Sequence, residues 1–277
     1  MSSVLERIFA AKRIEVDERR RAVPLEAVAS EAVRTPAPRD FIGALRAHRP
    51  AIIAEIKRAS PSKGDILPGL DPATVAREYA AAGAAALSVL TDRHFKGTLE
   101  DLRAVRGAVD LPLLRKDFIF DSYQVFEARA AGADCILLIA AMLAEADLTA
   151  LARCARELSM AALFEVHNRE EFKLAERIGA ALVGINNRDL HTFETSLATS
   201  EELLAGYAGD ALIVAESGID SPGDIRRLAR AGAHGFLIGE SLLRGGRPRE
   251  RLGEMVDAFE PAADETKRYE RSTPGKK

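Results

Sequence analysis

The apolar run AIIAEIK, residues 51–57, ends with a carboxylate and an ammonium two positions apart. Side chains alternate along a strand, so Glu55 and Lys57 face one way and Ile56 the other. A half-buried acid beside an amine is costly unless the two pair or handle a charged ligand. Behind them come Arg58, Ser60, Pro61, Ser62, Lys63 and Gly64, a cationic polar loop suited to an anionic small molecule. A structural ion pair would account for this strand end by itself, but not for what recurs further along the chain.

LLRKDF closes with Lys116 and Asp117, and LFEVHN places Glu165 after an apolar run. GINNRDL supplies Asn186, Asn187 and Arg188; VAESGI supplies Glu216, Ser217 and Gly218; LIGESL supplies Gly239, Glu240 and Ser241. An ammonium can protonate a carbonyl oxygen and a carboxylate can take and return a proton, so such groups converging on one mouth suit general acid–base work. Ser217–Gly218 and Gly239–Ser241 suit a phosphate. A missing side chain lets backbone N–H groups approach an anion, and helix N-termini favour negative charge. Each glycine taken singly also reads as an ordinary turn residue.

Gathering these endings requires strands that all point the same way. AAGAAALSVL, AAGADCILLI, RIGAALVGIN and ARAGAHGFLIG repeat one punctuation around Gly83, Gly132, Gly179 and Gly232: a helix end, a glycine suited to the left-handed C-cap, then an apolar run. Strands are expected at 51–57, 86–91, 111–117, 135–140, 161–166, 182–187, 211–216 and 235–239. Helical patterns between them open at Asp71, Thr98, Asp121, Asn168 and Ser221, residues suited to N-capping. Apolar strands alternating with helices indicate an α/β fold with a parallel sheet. Eight units in roughly 210 residues match a (β/α)8 TIM barrel better than an open doubly wound sheet. In that barrel the active site forms at the C-terminal strand ends, and a phosphate often sits after the last two strands.

Residues 1–48 are expected to form an N-terminal helical extension packed on the barrel, with helical patterns at 2–21 and 39–47 and a proline-containing connection between them. The apolar face of the first pattern is Val4, Leu5, Ile8 and Phe9. The barrel domain is assigned to 49–260, and 261–277 reads as a polar, frayed tail.

Hydrophobic residues make up 47% and charged residues 29% of the 277, an ordinary globular mixture. The formal net charge of −3 gives no basic field for nucleic acid, so anion handling must be local. Charged residues interrupt the first apolar stretch, so neither a signal peptide nor a membrane span is expected there. Cys135 and Cys154 form no CxxC pair and read as reduced residues of a cytoplasmic protein. Glu165 and His167 share parity, as a pair of metal ligands would, but no second His or Cys falls at another strand end. No metal is expected, and His167 reads as a loop or helix-capping residue.

In order and spacing, IIAEIKRASPSKG, LLRKDFIFDSYQ, LFEVHN, GINNRDL, AESGI and FLIGESL closely resemble the indole-3-glycerol phosphate synthase family, in its monofunctional form. The resemblance covers nearly the whole chain to about residue 260. It implies a lyase of tryptophan biosynthesis that needs no cofactor. Its substrate is a phosphorylated anthranilate derivative, 1-(2-carboxyphenylamino)-1-deoxyribulose 5-phosphate. By the same resemblance Lys116 is the general acid of ring closure, and Glu165 the base and acid of later steps. Lys57 binds the anionic substrate and phosphate, while Glu55, Asn186 and Glu216 hold hydroxyls and orient the lysines. Ser60 and Arg188 shape the carboxylate end, Phe118 lines the ring pocket, and Ser217, Gly218, Gly239, Glu240 and Ser241 take the phosphate. Where the family often has Gly-Ser after the eighth strand, this chain has Gly239–Glu240, leaving any required hydroxyl to Ser241.

Two other readings stay open. Another phosphate-binding barrel isomerase or synthase would share the last two strand ends without needing Glu55, Lys57, Lys116 and Glu165 together. A non-catalytic barrel that senses an anionic metabolite would be favoured by loss of a catalytic lysine. Oligomeric state has no signal in the sequence, and a monomer is the simplest expectation.

Overall fold

A computed structural model describes residues 4–60, 64–67, 69–190 and 192–257; burial and side-chain contacts of residues 1–6 and 60 are outside that description. The expected tail at 261–277 lies outside the described residues. Eight parallel strands close into a barrel: β1 (Ala51–Ile56), β2 (Ala86–Leu90), β3 (Leu113–Lys116), β4 (Cys135–Ile139), β5 (Ala161–Val166), β6 (Leu182–Asn186), β7 (Leu212–Glu216) and β8 (Gly235–Ile238). Each strand pairs with its sequence neighbours, and β1 pairs with both β2 and β8. This is a (β/α)8 TIM barrel. The third strand is shorter than expected at its start, because Pro112 has no N–H to give a ladder.

Among the described residues twelve α-helices accompany the strands: α1 (Val4–Ala22), α2 (Leu25–Arg34), α3 (Phe41–Ala47), α4 (Pro72–Ala81), α5 (Leu99–Ala108), α6 (Ser122–Ala130), α7 (Glu145–Glu157), α8 (Arg169–Arg177), α9 (Ala198–Leu204), α10 (Pro222–Ala231), α11 (Glu240–Leu243) and α12 (Pro248–Asp257). Asp71, Thr98, Asp121, Asn168 and Ser221 each accept a backbone N–H at a helix start. Such a bond removes one of the unpaired donors of the first turn. Gly83, Gly132, Gly179 and Gly232 all hold positive φ between helix and strand. Among the described residues no helix is long and apolar enough to cross a membrane.

Strand parity sorts the core into two layers. Ile52, Ala54, Leu87, Val89 and Ile136 face the surrounding helices. Ile53, Leu114, Leu137, Leu163, Leu182, Leu212, Val214 and Leu237 fill the barrel interior, which Phe41 and Leu45 of α3 close from below. The next inward-facing rung above this apolar plug is where the polar strand ends lie.

Two features differ from the sequence reading. The connection between the first two helical patterns contains helix α2, which buries Val28 and Ala32 and packs along α6. Its spacing, Leu25–Val28–Ala32, is the helical one, within the stretch expected only as a proline-containing connection. After β1 a small antiparallel hairpin forms between Ala59–Ser60 and Gly64–Asp65, where only a polar loop was expected.

Candidate active site

Parity carries the interior positions of the strands into the mouth. Glu55 continues Ala51 and Ile53, Lys116 continues Leu114, Glu165 continues Leu163, and Glu216 continues Leu212 and Val214. These side chains line one cavity of about 330 Å³, together with Lys57, Asn186, Arg188, Phe118, Ser217, Gly218, Gly239, Glu240 and Ser241. Ile8, Leu90, Phe95, Leu190 and Phe193 add an apolar wall to it. Ser60 lies in the hairpin behind β1.

The charges inside are paired. Lys57 Nζ lies 2.7 Å from Glu55 Oε1. Lys116 Nζ lies 2.6 Å from Glu165 Oε2 and 3.3 Å from Glu216 Oε2. Asn186 donates to Glu165 Oε1 at 3.2 Å while its own Oδ1 accepts the Arg188 N–H at 3.0 Å. Two glycines make room for this crowding. A Cβ on Gly184 would stand 2.0 Å from Glu216 Oε1, and one on Gly239 would stand 2.6 Å from Glu55 Oε1. The missing side chain of Gly239 therefore leaves space for Glu55, a use that its sequence position did not reveal. Gly184 sits mid-strand, without a turn to draw attention to it.

Burial works against the charge on Lys116, yet Glu165, Glu216 and Glu55 outweigh it and hold the ammonium well above its ordinary pKa. The two glutamates beside it diverge. Burial disfavours both carboxylates, but Lys116 and His167 hold Glu165 below its ordinary range. Glu216 is raised, because burial and the nearby charges of Glu165 and Glu55 exceed what the more distant Lys116 returns. Among the described residues its buried Oε1 has no hydrogen-bond partner. One site thus holds a carboxylate that stays ionised and another that readily takes a proton, the separation that acid and base roles require.

At the opposite end, Ser217 and Gly218 both adopt left-handed φ, 67° and 75°. The Ser217 carbonyl accepts from Asn187 Nδ2 at 3.2 Å, and Asn187 Oδ1 accepts both the backbone N–H and the hydroxyl of Ser200. Asn187 is buried and serves the turn, whereas its neighbour Asn186 faces the cavity. The Ser241 hydroxyl donates to the Ile219 carbonyl at 2.8 Å. While that bond stands, the hydroxyl proton is engaged within the fold. Arg244 lines this end too and was not singled out from the sequence.

A further charged layer braces the mouth. Lys12 of α1 is fully buried, with Nζ 2.6 Å from Asp92 and 3.0 Å from Asp117. Asp117 also accepts from Arg115 at 2.9 Å and from Thr91 at 2.6 Å, and Arg115 is itself fully buried. Lys12 lies four residues from both Ile8 and Val16 on the buried stripe of α1, which is the signal that could have found it. His167, read from sequence as a loop or capping residue, stands in the turn before α8 with its ring against Glu165 and Glu171.

The family model for indole-3-glycerol phosphate synthase matches residues 5–255 of this chain. The chain belongs to that family. Among relatives named indole-3-glycerol phosphate synthase, one from Polaromonas naphthalenivorans (strain CJ2) is 46% identical over 260 residues, covering 92% of this chain and 99% of the relative. Another, from Chromobacterium violaceum, is 49% identical over 263 residues, covering 93% and 99%. The indole-3-glycerol phosphate synthase match begins in α1 and ends in α12, so it includes the helical extension and every strand of the cavity. Among solved structures, a 3-hexulose-6-phosphate synthase superposes with a TM-score of 0.62 at 14% identity, covering 76% of this chain and 100% of that one. A thiamine phosphate pyrophosphorylase from Pyrococcus furiosus gives 0.56 at 17% identity, covering 75% and 94%. These two carry the barrel fold alone.

Proposed function

We propose that this chain converts 1-(2-carboxyphenylamino)-1-deoxyribulose 5-phosphate to indole-3-glycerol phosphate, carbon dioxide and water, in the cytoplasm and as a monomer. The observation that carries the reading is Lys116 held between Glu165 and Glu216 at the end of an apolar-walled cavity.

The aromatic carbon bearing the carboxylate attacks the ketone, and the Lys116 ammonium gives its proton to the oxygen as charge develops there. Two carboxylates keep that proton on nitrogen until the forming alkoxide, a stronger base, arrives. Loss of carbon dioxide returns electrons to the ring. Departure of the hydroxyl as water and removal of one ring proton then complete the indole. Glu165, ionised and reached by Lys116 and Asn186, is the proton carrier of these later steps. Lys57 and Arg188 balance the substrate's anionic groups, with Ser60 near the carboxylate end. Phe118 packs on the aromatic ring, and the Ser217–Gly218 and Gly239–Ser241 turns receive the phosphate through backbone N–H groups. The test is indole fluorescence from purified protein with the synthetic substrate. Appearance of indole-3-glycerol phosphate supports the reading. A folded protein that binds the substrate without turning it over would favour a metabolite-binding barrel.

A further inference from the structure

Glu165 is held from three sides. Lys116 meets its Oε2 and Asn186 its Oε1. The third neighbour is His167, two residues on, whose Nε2 lies 3.3 Å from the same Oε1. The other ring nitrogen, Nδ1, lies 3.1 Å from Glu171 Oε2, which also accepts the His167 backbone N–H at 2.8 Å. Asn168 Nδ2 fixes the second Glu171 oxygen at 2.6 Å. The ring is thus clamped between an acid of β5 and an acid of α8, with 9% of its side chain exposed.

We infer that His167 is a positioning residue: as an imidazolium it orients the Glu165 carboxylate toward the substrate and governs how readily that carboxylate takes a proton. This rests on the reaction proposed above, in which Glu165 moves protons. The tautomer gives the clamp its logic. Each ring nitrogen faces a carboxylate, so only the imidazolium offers a hydrogen to both, and a neutral ring would set a bare lone pair against either Glu165 Oε1 or Glu171 Oε2. Losing the ring's charge weakens its hold on the Glu165 carboxylate in either tautomer. Burial opposes the charged ring, but Glu165 and Glu171 outweigh it and lift its pKa to about 9. The charged groups in this field are Glu165 on β5, Glu171 on α8 and, beyond Glu165, Lys116 on β3 and Glu216 on β7.

His167→Gln and His167→Asn separate positioning from packing, because a glutamine amide extends about as far as Nε2 and an asparagine amide only as far as Nδ1. Loss of this charged contact, which lies 3.3 Å from Glu165 Oε1, predicts kcat about tenfold lower in His167→Asn with little change in KM, and His167→Gln recovering most of that loss. Wild-type kcat should fall through a step near pH 9, and that step should be missing in His167→Gln. Nitrogen NMR of the ring should show it charged at neutral pH, with Glu165→Gln moving its titration to lower pH. The NMR arm needs no turnover. Absence of indole formation beside a Glu165-dependent ring titration would sink the reaction and leave the contact standing. A ring that titrates like free imidazole whatever stands at 165 would overturn the inference. Equal kcat and an unchanged pH profile in both variants would overturn it as well. If the 167 variants unfold by circular dichroism, Glu171→Gln takes their place: the step near pH 9 should move down, and an unmoved step overturns the inference.

Discussion

Lys12 Nζ lies 3.0 Å from Asp117 Oδ1, joining the first helix of the chain to the residue that follows Lys116. Both side chains are fully buried, as is Asp92, the second partner of Lys12. The helical extension is therefore fastened to the strand that carries the ammonium of the cavity.

Replacing Lys12 with Met leaves two buried carboxylates with one cation fewer. Breaking such a pair costs roughly 3–5 kcal/mol. Because Arg115 and Thr91 still hold Asp117, a loss of about 3 kcal/mol is expected in urea unfolding at pH 7. A loss under about 0.5 kcal/mol, the size of an ordinary surface change, would show that this pair does not anchor α1.

His167 makes stability depend on pH in a definite direction. Its pKa rises from 6.5 to about 9 in the fold, so the folded state binds the proton more tightly. That contribution is complete below the unfolded value and is lost as pH rises through the folded one. Between pH 6.5 and 9 the wild type should therefore lose up to about 3 kcal/mol relative to His167→Gln. Parallel unfolding curves for the two proteins would contradict a charged ring.

Gly184→Ala tests the clearance around Glu216. The added Cβ would stand 2.0 Å from Glu216 Oε1, so the carboxylate must swing away from Lys116. Overpacking of this kind costs about 1–3 kcal/mol. We expect kcat to drop about tenfold or more while substrate binding changes little, since 1.4 kcal/mol corresponds to a factor of ten. An unchanged kcat would show that Glu216 has slack the geometry does not reveal.

How much of this could be read from the chain follows from the range of the signal. Strand periodicity is local, so the apolar runs and their polar ends located all eight strands and set Glu55, Lys116, Glu165, Asn186 and Glu216 on inward positions. The left-handed glycines at the helix ends announced themselves the same way. What escaped depends on partners far apart in sequence. Lys12 meets Asp117 across about a hundred residues, and Gly184 matters only because Glu216 arrives beside it from the next strand. The bond from the Ser241 hydroxyl to Ile219 likewise joins residues 22 positions apart. His167 looked like a capping residue because the parity it shares with Glu165 says nothing of Glu171 one helical turn later.

The most direct measurement follows a labelled carboxylate carbon in the synthetic substrate, counting carbon dioxide and indole-3-glycerol phosphate together for wild type and Lys116→Met. Wild type should release one carbon dioxide per indole formed. Lys116→Met should keep its fold and lose at least about a hundredfold in rate, the scale expected for removing a positioned acid. Carbon dioxide and indole in unequal amounts from wild type, or a Lys116→Met rate within a few-fold of wild type, would contradict the account.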